Sequence, residues 1–332
     1  DPEITPIHDF SIWNEKVTLL SDESGEVVMS IGDAVDKGII RHSTVGYFMG
    51  WTMDFLTKVG INPKYLRFRQ HESDEMAHYA QDCWDVEILG SYGWVECVGV
   101  AHRGCYDLTA HEEATGQKLR AWRTFSEPKT VEIDGWTIDG AKAGPAFRAL
   151  AGKVKVAVEE LPSDTAFPHS IEVEGQNIDI LPEHVKRVQR SENVTGEWYI
   201  PHVVEPAFGI DRIIWHLLDH AYTETEKSGD DYTLLSLSEL VAPVDVTVLP
   251  LYEKDGMGEL ANKIHRDLCN RRGIFSSYDA SGSIGRRYAR ADEIGVPWCL
   301  TIDHDSLNDK TVTIRSRDTG EQKRISIDDL PF

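Results

Sequence analysis

The sequence has few cysteines, five in 332 residues (Cys83, Cys97, Cys105, Cys269 and Cys299), and no two stand at CxxC spacing. An odd number without close pairing excludes a disulfide framework and gives no support to a structural zinc site, so the thiols read as reduced core residues. No apolar run approaches the roughly 18 residues that a membrane span needs, and the N-terminus has neither a basic n-region nor an apolar h-region. These absences predict a cytoplasmic globular protein with no membrane partner. Basic residues are scarce as well: 34 Lys and Arg stand against 56 Asp and Glu, a formal net charge of −22. Taken whole, that balance argues against a nucleic-acid partner, because phosphates repel carboxylates. There is no internal repeat and no low-complexity tract.

What is present allows two domains, since 41% hydrophobic residues can build a core in each. The acidity is also unevenly placed. From Val241 onward there are 13 basic and 15 acidic residues, so nearly all of the negative excess lies in the first 240. Within the near-neutral end, Arg271, Arg272, Arg286, Arg287 and Arg290 form the one basic concentration, a candidate phosphate-backbone contact or else a solvated face. The chain opens at Asp1-Pro2 without methionine and has no long periodic element before Gly32, which reads as a cut start.

Periodicity places the elements. Val45 to Leu56 is apolar at helical spacing and ends before Gly60-Ile61-Asn62-Pro63, which predicts a buried helix. A short RFRQH strand follows, and Ser73-Asp74 is placed to cap a helix from Glu75 to about Glu87. GWVECVGVAHRGCYDL alternates like a strand with an acid, Glu96, embedded in it. From about Glu127 to Glu197 come the strand-like pieces TVEIDGWTI, KVKVAVEEL and SIEVEGQNIDI and then a charged helix near Glu183 to Gln189, read together as an insertion. WYIPHVVEPAFG reads as one strand leading into a helix with Ile210, Ile213, Ile214, Leu217, Leu218 and Ala221 on a stripe. After a polar linker near Glu224 to Tyr232, strands and helices alternate to the end, which implies a mixed sheet with helical cover.

Chemistry concentrates at the strand-to-helix junction Glu205-Pro206-Ala207-Phe208-Gly209-Ile210-Asp211-Arg212. A carboxylate at a strand end and an arginine one turn into the next helix put opposite charges at one sheet edge, where an ammonium and a phosphate can be held together. Three weaker candidates are a metal at His71, Glu72, Glu75 and His78, an RNA contact at the glycine-rich Gly282 to Arg287, and stacking of a base on Trp298. For the metal and the stacking the blander readings of ordinary structure carry more weight, while Gly282 to Arg287, which lacks the P-loop Lys-Ser/Thr, reads as an RNA-backbone contact rather than a nucleotide cradle.

The junction resembles motif 3 of class II aminoacyl-tRNA synthetases. The strings LRFRQHESDEMAHYAQDCWDVE, GWVECVGVAHRGCYDLTAH, YIPHVVEPAFGIDR and GSIGRRYARADEIGVPWCLTID are similar to glycyl-tRNA synthetases of the archaeal and eukaryotic type, over nearly the whole chain. The resemblance implies α/β and α+β architecture: a partial antiparallel-sheet class II catalytic domain over 1–127 and 198–239, interrupted by the insertion 128–197, then an α/β anticodon-binding domain with a mixed sheet over 240–332. It implies a ligase that uses ATP and Mg²⁺ to activate glycine and charge glycine tRNA, working as a homodimer when complete. Arg212 then matches the arginine on ATP phosphate, while Glu96 and Cys97 match the strand positions at ATP, Glu96 also holding Mg²⁺. Gly209, Ile210, Asp211 and Arg212 line the nucleotide. Glu205 receives the glycine ammonium, Pro206, Ala207, Phe208 and Gly209 line that pocket, and Arg103 lies near it; the five arginines named above fall to the tRNA.

Two departures stand out. The family's EPS serine is Ala207 here, which predicts weaker glycine binding, and no counterpart of motif 1 or motif 2 is found, so this chain alone is expected to be inactive. A non-catalytic nucleic-acid-binding relative, such as a polymerase accessory subunit, and one half of a split synthetase are the alternatives.

Overall fold

In the computed structural model, residues 10–21, 25–72, 74–76, 80–227 and 229–331 are described. A short helix α1 (Phe10–Trp13) precedes the hairpin β1 (Lys16–Ser21) and β2 (Gly25–Ser30), and α2 (Ile31–Asp36) and α3 (Ser43–Val59) follow. Then β3 (Leu66–Gln70), β4 (Asp82–Gly90) and β5 (Gly93–Gly104) run as an antiparallel meander into α4 (Tyr106–Thr115).

A separate compact unit spans Leu108–Pro201. It holds β6 (Ala121–Ile138), α5 (Gly140–Phe147), α6 (Ala151–Glu159), the hairpin β7 (His169–Val173) and β8 (Gln176–Ile180), and β9 (Val185–Tyr199). The long strands β6 and β9 pair antiparallel along their length, and Val154, Val158, Ile171, Val173, Ile180 and Val185 form the unit's core. Its hairpin turns through Glu174 and Gly175 at φ 54° and 74°, the left-handed pair that tight hairpins favour.

The remainder resumes with β10 (Val203–Phe208), α7 (Ile210–Ala221) and the hairpin β11 (Tyr222–Lys227) and β12 (Asp230–Leu235). It ends with β13 (Val246–Pro250), α8 (Met257–Asp267), β14 (Ser276–Tyr278), α9 (Ile284–Glu293), β15 (Trp298–Ile302), α10 (Ser306–Asp309), β16 (Thr311–Ser316) and β17 (Gln322–Ser326). The last five strands form a sheet in the order β14-β13-β15-β16-β17, parallel among the first three and antiparallel after. A mixed sheet covered by helices is what the alternating pattern predicts.

The sheet that carries the site has the order β10-β5-β4-β3-β1-β2 and is antiparallel except between β1 and β3. Strand alternation gives it two unlike faces. One buries Leu66, Phe68, Trp84, Val86, Ile88, Val98 and Val100 against Val45, Met49, Met53 and Leu56 of α3 and Ile213 and Leu217 of α7. At about 1.5–3 kcal/mol for each large apolar side chain removed from water, this layer fixes the register of every strand in it. The opposite face then carries whatever the intervening positions supply, and those positions are charged or very small.

Several expectations are corrected. Residues 82–90 form β4 rather than the end of a helix, because Trp84, Val86 and Ile88 share the core face while Asp85 and Glu87 pair across to Arg69 and Arg67 of β3. Of the proposed helix start, 74–76 form a turn, and Ser73 and His78 lie outside the described residues. KVKVAVEEL is helix α6, since Val154 and Val158 reach the core at helical spacing while Val156 stays exposed. Of the helix expected near 183–189, Glu183 and His184 lie in a single 3-10 turn and the rest is the start of β9, held by its ladder to β6. The linker expected at 224–232 is the β11–β12 hairpin, and WYIPHVVEPAFG is divided between β9 and β10. The compact inner unit also reaches past both ends of the predicted 128–197.

Candidate active site

The charged face of the sheet is organised by cross-strand pairs. Arg67 donates to Glu87 at 2.6 Å, and its guanidinium lies 4.2 Å above the Trp94 ring. Arg69 bonds Glu75 at 2.8 Å and Asp85 at 2.9 Å, and His71 Nε2 lies 2.8 Å from the same Asp85. Hydrogen bonding from Arg69 lowers the Glu75 pKa. These bonds commit His71 and Glu75 elsewhere, so the metal considered there loses two of its ligands. Asp85 and Glu87 are buried charges whose desolvation is offset by these arginines.

Toward the sheet edge the same face becomes a shallow floor. Gly99 and Ala101 of β5 face Ala207 and Glu205 of β10 in register. With Cys83, His71, Glu75 and Arg103 they line a cavity of about 250 Å³. Over it, Arg103 bonds both Asp107, at 2.8 Å, and Glu205. The two acids raise the Arg103 pKa further, chiefly through the hydrogen bond that Arg103 donates to Asp107. Glu205 and Arg103 therefore meet on the open face.

The other end of the floor is set by a bulge. Glu87 stands opposite Glu96 while Val86 stands opposite Val98, so Cys97 is the extra residue. A bulge reverses strand phase, which lets Cys97 and Val98 both turn to the core and leaves Glu96 on the open face. Glu96 is consequently 53% exposed rather than embedded, and the cost of a buried acid does not arise. Arg212 donates to the Glu96 carbonyl oxygen at 2.7 Å and lies 3.7 Å from its carboxylate.

The Gly209 N–H bonds the Cys97 carbonyl at 2.8 Å, and a Cβ at Gly209 would stand 3.0 Å from that oxygen. Glycine is thus what lets α7 start against the bulge and bring Arg212 beside Glu96. Ile210 and Asp211 are exposed in the first turn of α7.

Three assignments change. The Cys97 thiol is buried, its pKa pushed up to about 11 by burial, and its Sγ faces Val95 O and His216. Its side chain points away from the open face. Pro206 and Phe208 alternate onto the core side, where Phe208 packs edge-on to Trp51 and Phe55. Only Glu205 and Ala207 of that run face the cavity. Conversely, Arg67, Arg69, Asp85 and Glu87 belong to the site's face and were missed; the spacing-two charges of RFRQ and DVE were the available signal, hidden by reading the second as helix.

The basic cluster divides too. Arg287 is buried and donates to the carbonyls of Pro250 and, at 2.7 Å, Gly282. It holds the loop ahead of α9 and is withdrawn from any RNA contact. Arg290 is bound to Asp279 at 2.5 Å and to the Ser281 carbonyl at 2.7 Å, whereas Arg286 is exposed. The side chains of Arg271 and Arg272 lie outside the described residues. Trp298 packs against the core of its sheet, as an aromatic at a strand start commonly does. Helix α9 is anchored by a buried bidentate pair, Arg315 to Asp292 at 2.8 Å for both bonds.

Residues 245–331 match the anticodon binding domain family. The glycine–tRNA ligase of Methanocaldococcus jannaschii is 42% identical over 322 residues, covering 94% of this chain and 55% of that protein. Those of Archaeoglobus fulgidus and Methanothermobacter thermautotrophicus are 42% and 41% identical, over 97% and 99% of this chain and 57% and 60% of theirs. The chain thus spans little more than half the length of these relatives. A prolyl-tRNA synthetase of Giardia lamblia, solved with prolyl-adenylate, aligns over 90% of this chain and 44% of its own at 14% identity, with a TM-score of 0.45, too loose to carry a conclusion. Over 94% of its length the chain is similar to a glycine–tRNA ligase, and its residues 245–331 match the anticodon binding domain family.

Proposed function

We propose that this chain supplies part of the catalytic sheet and the anticodon-binding domain of a glycine–tRNA ligase. In that reaction a carboxylate oxygen of glycine attacks the α-phosphorus of ATP, the α–β bridging bond breaks and pyrophosphate leaves. A ribose hydroxyl of the tRNA's terminal adenosine then takes the glycyl group and AMP departs. The observation that carries the reading is the arrangement on one sheet face: Arg103 with Glu205 at one end of the Gly99–Ala101–Ala207 floor, and Arg212 with Glu96 on the same face beyond the bulge.

A glycine zwitterion matches the first pair. Its ammonium is complementary to Glu205 and its carboxylate to Arg103, so substrate can enter by replacing one charge-assisted contact with two. Small floor residues leave the sheet open for an adenylate to lie flat. Arg212, half-exposed and oriented by a main-chain oxygen, is preorganised to receive charge that develops on the phosphates. Glu96 offers hard oxygen donors of the kind Mg²⁺ takes, and when bound that ion would neutralise phosphate charge. Gly209 and the first turn of α7 would lie along the nucleotide. Glycine tRNA as partner and a homodimeric full-length protein are part of the same proposal.

Glycine-dependent exchange of pyrophosphate into ATP by the full-length protein is the test. Exchange with glycine and not with alanine or serine supports the reading. Absence of exchange in a folded full-length protein sinks it.

A further inference from the structure

We infer that His42, His102 and His202 form a binding site for a divalent transition-metal ion of the zinc type, on the side of the sheet opposite the proposed reaction and independent of it. The three come from separate elements: the residue before α3, β5, and the residue before β10. Their ligand atoms all lie within 4.8 Å of one another.

Three observations distinguish this trio from an ordinary buried histidine. His102 is wholly buried, with Nε2 3.3 Å from His202 Nδ1, while its own Nδ1 and that of His42 have no hydrogen-bond partner. At Zn–N bonds of 2.0–2.1 Å, two nitrogens on a tetrahedral ion stand about 3.3 Å apart, the separation seen between His102 and His202. The local charge also suits an ion rather than protons. Burial and the two neighbouring imidazoles lower the His102 pKa to about 4, and burial lowers that of His42, so both rings keep their lone pairs near neutrality. Asp82 lies directly opposite His102 in the β4–β5 register, buried on the same face and bonded to the Arg41 N–H and the Trp84 indole N–H.

His42 completes the set by moving. Its ring is stacked on His102 at 3.9 Å with planes 19° apart, an arrangement in which the two lone pairs cannot converge. Rotation of the His42 side chain opens the stack and aims a nitrogen at the shared point. No capping bond opposes this, because His42 precedes α3 without a side-chain bond to the helix. Bound metal would tie the start of α3 to β5 and β10, directly behind Arg103 and three residues before Glu205.

The experiment titrates the chelator-treated full chain with Zn²⁺ by calorimetry, and with Co²⁺ by visible absorption, beside a His42→Ala/His202→Ala variant. With 13 histidines and five cysteines in the chain, the difference between the two proteins is what counts. Expected are one more equivalent bound by the native chain, tetrahedral Co²⁺ bands confined to it, and a metal-dependent rise in Tm that the variant lacks. Should the double variant fail to fold, His202→Gln, which keeps a polar side chain at the half-buried edge of β10, replaces it. Equal stoichiometry and spectra in native and variant protein overturn the site, as does failure of the native chain to bind either ion more tightly than about 10 µM, the affinity at which millimolar metal is 100-fold in excess.

Discussion

Arg212 holds the Glu96 main-chain oxygen at 2.7 Å while its guanidinium stays 3.7 Å from the same residue's carboxylate. The shorter bond orients the arginine and the longer one leaves its charge available. Both side chains are more than half exposed, so their ion pair contributes little to folding, on the order of 1 kcal/mol or less. Arg212→Ala in the full-length protein is therefore expected to slow glycine-dependent pyrophosphate exchange by about 100- to 1,000-fold, as removal of a preorganised donor does, with little change in Tm. Normal exchange in that variant would overturn the role given to Arg212.

Ala207 tests the other end of the floor. It faces Gly99 in register, and the space a Cβ would take at Gly99 has no atom within 4 Å, so a hydroxyl can be added without a clash from that side. A bond from an added hydroxyl to an ammonium is worth ~1.5–3 kcal/mol, and Ala207→Ser is expected to lower the KM for glycine by roughly 10- to 100-fold with kcat little altered. An unchanged KM would place the ammonium away from residue 207.

Much of this site could be read from the chain, and the failures have one cause. Glu205, Arg212 and Gly209 are adjacent in sequence at a strand-to-helix junction, so local pattern and family resemblance both find them. Cys97 was misplaced because a one-residue bulge opposite Glu87 resets the face its side chain takes, and Phe208 because plain alternation along β10 turns it to the core. Arg67, Arg69, Asp85 and Glu87 escaped notice because their meaning lies in pairing between strands. The three histidines are 60 and 100 residues apart, and only the folded core assembles them. Helix α6 and strand β4 were exchanged for the opposite element because a short run with mixed periods yields to its tertiary partners.

Acid should loosen the protein through His102. Its folded pKa, about 4, lies below the ordinary histidine value of 6.5, so between those values the unfolded chain binds the extra proton. The group's contribution is full above pH 6.5 and falls away as pH drops toward 4, by about 3 kcal/mol in all. His42 acts in the same direction. Asp82, raised by burial, acts oppositely, favouring the fold most when protonated. Urea midpoints measured in chelator from pH 7 to 5 should therefore fall more steeply for the native chain than for His102→Gln. Parallel curves would show that the imidazole is not held neutral.

The arginines ahead of and within α9 divide by the same logic of burial. Arg287 occupies two main-chain carbonyls from inside the fold, and Arg287→Ala should cost about 1–3 kcal/mol for each acceptor left unpaired in a buried setting. Arg286 stands in solvent one residue earlier, and its removal should leave Tm unchanged. If the anticodon-binding domain meets tRNA phosphate through this face, Arg286→Ala weakens binding and reduces the slope of log affinity against log salt by about 0.7–0.9, one phosphate contact. A stable Arg286→Ala protein with unaltered tRNA affinity and salt slope would assign that side chain to the solvated surface. A loss of affinity in Arg287→Ala that tracks its loss of stability would confirm that the buried arginine acts through the loop it holds.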